Sequence, residues 1–321
     1  MDHFTALRDV PDIAGLVREA RRCKEQPLAS VDLGRGKTLG LLFFNSSLRT
    51  RMSTWKAAQN LGLQVLVLNV GTDGWALEMR DGVVMDGDRA EHIRDAAAVM
   101  GQYCDILGLR AFPGLQDREA DYNETVLNSF LRYSGVPVIN LESATRHPLQ
   151  SLADLLTIEE HKRRPRPKVV LTWVPHPRAL PQAVANSFCE WMRAADVEFV
   201  LTHPPGYELA EEFTAGVQVE YDQNRALENA DFVYAKNWSA YRDYGAILST
   251  DRSWMISEEK MALTRSGKFM HCLPVRRNVV VTDAVLDGTD SLIYAQAANR
   301  VWAAQAVLQR LLHSMAGTTN G

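Results

Sequence analysis

No Gly-x-Gly-x-x-Gly run follows any apolar stretch in the 321 residues of this chain. Its lack counts against a nucleotide-dependent oxidoreductase, whose pyrophosphate site needs close backbone approach at glycine. Cysteine is scarce: Cys23, Cys104, Cys189 and Cys272 are scattered and form no Cys-x-x-Cys pair. Neither a disulfide framework nor a zinc site is expected, and free thiols in a reducing cytoplasm are. Positive charge is not in excess. The formal net charge of −4 argues against a general nucleic-acid binder. No apolar run exceeds strand length, so no membrane span is expected. Met1-Asp2-His3-Phe4 has neither the charged start nor the apolar core of a signal peptide. A periplasmic-type binding module would want one.

The composition, 46% hydrophobic and 23% charged, is that of an ordinary globular protein, long enough for two domains with separate cores. Short apolar runs alternate with amphipathic stretches, the pattern of parallel α/β architecture. Strands are expected at 38–44, 65–69, 105–109 and 136–140, with helices at 48–61, 88–102 and 122–133 between them. A long helix is expected at 148–161. The stretch Lys162 to Lys168 then breaks the pattern with two prolines and five basic residues, a linker or crossing loop. Further strands are expected at 169–173, 198–202, 232–236 and 268–270, and helices at 182–194, 208–213 and 258–264. The last helix, 297–315, carries an apolar docking stripe at Val301, Ala304, Val307, Leu308 and Leu311. The fold class that follows is α/β, two doubly wound parallel sheets with ligands at the strand C-termini, in a cleft between the domains.

Polar clusters recur at those strand ends. Asn45-Ser46-Ser47-Leu48-Arg49-Thr50-Arg51 lies where the first strand ends and a helix begins. There the first-turn amides and the helix dipole favour an anion, and hydroxyls and guanidinium groups add donors. Arg110 follows the third strand. Glu142 and His147-Pro148-Leu149-Gln150 follow the fourth, and Pro175-His176-Pro177-Arg178 the fifth. Lys236-Asn237-Trp238 and His271-Cys272-Leu273-Pro274-Val275-Arg276-Arg277 end two more. Singly, each has a bland explanation: a surface ion pair at Arg110, a helix cap at His147, a small buried hydrophobe at Cys272, a solvated Lys236, a loop anchor at Trp75. Together they describe a site for an anionic substrate.

Ser47-Leu48-Arg49-Thr50-Arg51, His147-Pro148-Leu149-Gln150 and His271-Cys272-Leu273-Pro274, in this order and spacing, resemble the aspartate/ornithine carbamoyltransferase family over essentially the whole chain. His-Cys-Leu-Pro is similar to its ornithine branch. The Asp-x-x-x-Ser-Met-Gly loop that holds free ornithine there is replaced by Lys236-Asn237-Trp238, which points to an Nα-blocked substrate. Trp75, Met85-Asp86-Gly87-Asp88-Arg89 and Arg276-Arg277-Asn278 resemble the acylornithine subfamily. Its acetylornithine enzymes carry glutamate where this chain has Ala90 and a carboxylated lysine where it has Val280. An uncharged residue at 90 leaves room for a succinyl carboxylate without like-charge repulsion.

The resemblance implies carbamoyl transfer from carbamoyl phosphate to N-succinyl-L-ornithine in arginine biosynthesis, with N-acetyl-L-ornithine as the alternative. It implies catalytic roles for Arg110, His147, Thr50 and Cys272. Carbamoyl phosphate would be bound by Ser47, Leu48, Arg49, Thr50, Trp75, Arg110, His147, Pro148, Leu149, Gln150, Cys272, Leu273 and Arg300. The acylornithine would meet Glu142, His176, Arg178, Lys236, Arg276 and Ala90. No metal or cofactor is implied. The implied domains are 1–147 for carbamoyl phosphate and 148–296 for acylornithine, with the helix near 297–316 packing back on the first. A homotrimer with shared sites and a knotted backbone in the second domain, at the Pro175–Pro181 loop, complete the expectation.

Overall fold

The apolar runs form two fully parallel sheets in the computed structural model, which describes residues 1–318. In chain order the strands are β1 (Thr38–Phe43), β2 (Gln64–Asn69), β3 (Leu77–Glu78), β4 (Glu91–His92), β5 (Ile106–Arg110) and β6 (Val138–Glu142). They continue with β7 (Lys168–Trp173), β8 (Glu198–Thr202), β9 (Gln218–Val219), β10 (Phe232–Lys236) and β11 (Lys268–Met270). The first sheet has the order β2-β1-β5-β6 and the second β11-β10-β7-β8-β9, while β3 and β4 pair separately. Strands covered on both faces read as continuous apolar runs rather than alternating ones. Accordingly, β5, β6 and β10 are buried at every position.

The chain divides into two units. The first comprises Met1–Pro113, Glu119–Leu149 and the C-terminal stretch from Arg300; the second comprises Gly114–Arg118 and Gln150–Asn299. In the first, the helices Ile93–Tyr103 and Thr125–Tyr133 pack on the sheet through Ile93, Ala96, Ala97, Leu127 and Phe130. The close approach is specific: a Cβ on Gly101 would meet the Ser134 carbonyl oxygen at 1.8 Å. In the second unit, Val170, Val233, Phe269, Val281 and Ile293 share one apolar core. Buried aromatic residues, among them Trp173, Phe188, Tyr207, Tyr234 and Trp238, fill much of the rest.

Several boundaries differ from the sequence reading. The helix expected at 88–102 starts only at Ile93, because the His92 ring accepts the Arg94 N–H and caps it, and Glu91–His92 pair with Leu77–Glu78. The helix expected at 122–133 is broken at Glu124, whose backbone is left-handed at φ +50. Helix Ile13–Glu25, capped by Asp12, was not anticipated. No helix among the described residues is long and apolar enough to cross a membrane.

Candidate active site

In doubly wound sheets ligands gather where the strand order reverses. The first sheet reverses between β1 and β5, and the second between β7 and β10. Both points carry the polar ends identified in the sequence. Arg110 is the last residue of β5 and Glu142 the last of β6, and a shift in register after Leu109 sets the two opposite each other. Lys236 ends β10 opposite Trp173 of β7, just before the His176 loop.

At the first reversal the helix Arg49–Asn60 starts directly after the loop that follows β1. Ser47 Oγ accepts from the Thr50 amide at 3.3 Å, and no side chain caps the N-cap residue Leu48. Arg49 is half-buried at the first helical position. Thr50 is 2% exposed, and its hydroxyl accepts from Arg110 Nη1 at 3.1 Å and from Arg300 Nη2 at 2.6 Å. The same Arg110 Nη1 lies 2.8 Å from Glu142 Oε2, and the guanidinium covers the Phe112 ring at 4.3 Å. His147 Nε2 is 3.6 Å from that Glu142 oxygen. Burial, then the charges of Arg300 and Arg110, hold the His147 imidazole well below 6.5, so it is neutral at pH 7. A neutral imidazole keeps one N–H donor and one acceptor. Thr50, Arg110, His147 and Arg300 are thus brought together, and Glu142 joins them.

Arg51 does not join. Its guanidinium bonds Asn69 and lies over Phe43, because position 51 falls on the flank of the helix facing β2. Arg51 is therefore not among the donors that the sequence places at this strand end. The loop before His147 has an anchor that the sequence reading missed. Glu124 accepts from the Ser143 hydroxyl at 2.6 Å, the Thr145 amide at 2.8 Å and the Thr145 hydroxyl at 2.5 Å. The left-handed backbone at Glu124 aims it there, and nothing in the local pattern signals that.

At the second reversal Arg276 Nε donates to His176 Nε2 at 3.1 Å, while His176 Nδ1 lies 2.9 Å from the Arg178 carbonyl oxygen. The Arg178 backbone N–H also points at Nδ1, at 3.1 Å, and an Nε2 that accepts from Arg276 carries no proton, so His176 is neutral. Burial and the charges of Lys236, Arg276 and Arg178 lower its pKa to match. Lys236 is 8% exposed and donates to the Asn237 carbonyl at 2.6 Å. These residues form a net cationic group. Arg277 stands outside it, held by Asp283 and Asp287. Val280, 2% exposed, is packed in the apolar core of this unit.

Gln150 is 1% exposed and donates to Asp154, four residues further along the helix Pro148–His161 that Pro148 and Leu149 open. Cys272 and Leu273 follow β11, with Leu273 at φ +57 and a cis bond to Pro274. Trp75 is 58% exposed, and its indole N–H donates to Glu91 at 2.7 Å. That bond ties the Trp75 loop to the residue next to Ala90. Ala90 itself is an exposed loop residue, not one in the first turn of a helix as its position had suggested. Among the described residues no group of three or more histidine, cysteine or acidic side chains is placed to hold a metal ion.

Each of the two parallel sheets thus gathers cations and a histidine near its reversal point, a setting suited to anionic ligands. Residues 2–160 match the profile of the aspartate/ornithine carbamoyltransferase carbamoyl-P binding domain, and residues 181–311 that of the Asp/Orn binding domain. The chain belongs to the aspartate/ornithine carbamoyltransferase family, and it is a carbamoyltransferase. It is 55% identical over 317 residues to N-succinylornithine carbamoyltransferase of Bacteroides thetaiotaomicron, covering 98% of this chain and 100% of the relative. It is 39% identical over 335 residues to N-acetylornithine carbamoyltransferase of Xanthomonas campestris pv. campestris, covering 97% and 98%. Its fold matches, at a TM-score of 0.92 and 39% identity over 97% of this chain and 100% of the other, a crystal structure of N-acetyl-L-ornithine transcarbamylase. That protein has one glutamate replaced by alanine and is complexed with carbamyl phosphate and N-succinyl-L-norvaline.

Proposed function

We propose that this carbamoyltransferase converts carbamoyl phosphate and N-succinyl-L-ornithine to N-succinyl-L-citrulline and phosphate, in arginine biosynthesis. Carbamoyl phosphate brings a dianionic phosphate that is already a good leaving group, so no covalent protein nucleophile is needed. Ser47, the Leu48 amide, Arg49 and Thr50 hold the phosphate. Thr50, Arg110 and His147 face the carbonyl oxygen, where negative charge grows in the tetrahedral transition state. Neutral His147 suits that part as an N–H donor, and Arg300 supports it through Thr50. Gln150 and the Cys272 and Leu273 carbonyls hold the carbamoyl NH₂. The substrate's δ-amine bonds to the carbonyl carbon, the C–O bond to phosphate breaks, and the amine proton leaves with the phosphate.

The acylornithine falls to His176, Arg178, Lys236 and Arg276, whose summed positive charge suits a substrate with two carboxylates. The observation that carries the succinyl reading is Ala90, an uncharged residue on a loop tied to Trp75 through Glu91. The relative in which a glutamate gives way to alanine was complexed with a succinylated norvaline, which supports it. The 55% identity to an N-succinylornithine enzyme supports it too. Glu142 is ion-paired with Arg110 in the first unit, so its part in orienting the amine is exercised beside the carbonyl set. The assembly we propose is a homotrimer in which the Trp75 loop serves a neighbouring subunit's site.

Ala90→Glu tests the acyl assignment. Two unit charges about 4 Å apart repel by about 4 kcal/mol at an effective dielectric of about 20. The variant should therefore lose succinylornithine activity and gain relative preference for acetylornithine. An unchanged ratio of the two activities would remove the succinyl assignment and leave carbamoyl transfer standing.

A further inference from the structure

One buried carboxylate in the second unit has no part in the chemistry above. Asp154 is 0% exposed on the helix Pro148–His161. Its Oδ1 accepts from Gln150 Nε2 at 2.7 Å and from Gln296 Nε2 at 2.6 Å. Gln296 Oε1 in turn accepts the His271 backbone N–H at 2.9 Å. The His271 ring nitrogen Nδ1 accepts the Leu273 N–H, also at 2.9 Å. Fully buried Tyr234 lies near both Asp154 and Cys272, and burial, then the Asp154 charge, raise its pKa well above the usual phenol value. Asp154, through Gln296, therefore joins the Gln150 amide to the His271-Cys272-Leu273 segment.

Two N–H donors on one oxygen fix that oxygen as an acceptor, and an amide has one donating and one accepting end. Asp154 therefore decides which end of each glutamine faces it. Gln296 must turn its NH₂ to Asp154, and its carbonyl then meets the His271 N–H. Gln150 does the same, which turns its carbonyl oxygen away from the carboxylate. A carbonyl oxygen is what a carbamoyl NH₂ requires. A neutral amide at 154 could donate as well as accept, and Gln150 could then rotate to present NH₂ towards NH₂. Leu273 adds a second demand. Its φ of +57 is a conformation that non-glycine residues keep only where the surroundings over-determine it. The Asp154–Gln296–His271 chain is one such restraint.

We propose that Asp154 is a positioning residue for carbamoyl recognition: it sets the polarity of the Gln150 amide and anchors the His271-Cys272-Leu273 segment without touching substrate. This rests on the reading that Gln150 and the Cys272 and Leu273 carbonyls hold the carbamoyl NH₂.

The test is a double-mutant cycle of Asp154→Asn with Gln150→Ala, read as kcat and KM for N-acylcitrulline formation. Asp154→Asn keeps the volume and removes the charge. Misplacing a recognition group by about 1 Å typically costs about 100-fold, and that loss is expected in kcat. The affinity for inorganic phosphate, measured by calorimetry, should stay within about twofold, because the phosphate set lies in other residues. In the Gln150→Ala background, Asp154→Asn should cost about tenfold or less, since residues acting as a unit are non-additive. If Asp154→Asn does not fold, the smaller Asp154→Ser carries the same cycle. Additive losses, or phosphate affinity falling along with activity, would overturn the inference and assign Asp154 to general stability. Wild-type protein that forms no N-acylcitrulline would overturn the underlying reading as well, and the two failures are thereby distinct.

Discussion

Replacing Arg110 by lysine keeps the charge and removes the planar fork. In the structure the guanidinium serves three neighbours: it donates to Thr50 Oγ1 at 3.1 Å, pairs with Glu142 at 2.8 Å and covers Phe112 at 4.3 Å. An ammonium can keep the Glu142 pair, so Glu142 is not left as a stranded buried charge, which would cost about 3–5 kcal/mol. The lost hydrogen bond and ring contact together cost about 1–2.5 kcal/mol of stability, which a folded two-unit protein tolerates. The proposed oxyanion contact is the larger loss. Removing one such donor raises the barrier by about 2.7–4 kcal/mol, or about 100- to 1,000-fold in kcat. Steady-state kinetics of citrulline formation on Arg110→Lys should show that loss in kcat, with KM for carbamoyl phosphate changed far less. A loss confined to KM would refute the assignment of Arg110 to the transition state.

Arg49→Ala should abolish turnover and carbamoyl phosphate binding while leaving circular dichroism unchanged, because a charge-assisted contact to a dianion is removed; normal affinity would contradict its role. Mixing inactive Trp75→Ala with inactive Arg110→Ala should restore part of the activity through hybrid sites. No recovery despite demonstrated subunit exchange would mean that each chain completes its own site. Stability should fall as pH drops below about 6.5. Burial lowers the folded-state pKa of His147 and His203, so below 6.5 the unfolded chain takes up protons that the folded one does not. Each group then contributes up to about 1.4 kcal/mol per pH unit, with no effect above that window. Urea midpoints at pH 7.5, 6.5 and 5.5 that stay level would contradict this.

The strands were legible because parallel strands covered on both faces are unbroken apolar runs. Glu198–Thr202, Phe232–Lys236 and Lys268–Met270 run as the sequence indicated. The polar residues at strand ends were legible for the same reason, since the topology collects them at the two reversals. What escaped depends on backbone turns and on distant partners. Arg51 looks equivalent to Arg49 in a list of residues, yet a step of two along a helix turns it to Asn69 and Phe43. Glu124 reaches Ser143 and Thr145 only because φ +50 breaks what reads as one helix. Ile13–Glu25 carried its own signal, an Asp12 cap followed by Leu16, Val17, Ala20 and Cys23 at helical spacing. Asp154, four residues after Gln150 on one helical face, reads in the sequence only as one more position of that helix. Its second partner, Gln296, lies 142 positions away, and no local pattern points to it.

The measurement that bears most directly on the central claim is citrulline formation from carbamoyl phosphate with ornithine, N-acetylornithine and N-succinylornithine compared side by side. N-succinylornithine should show the highest kcat/KM, N-acetylornithine a lower value, and free ornithine, which lacks the blocked α-amine, little turnover. A preference for N-acetylornithine would contradict the part given to Ala90 and the cations around His176. A preference for free ornithine would contradict the acylornithine reading altogether.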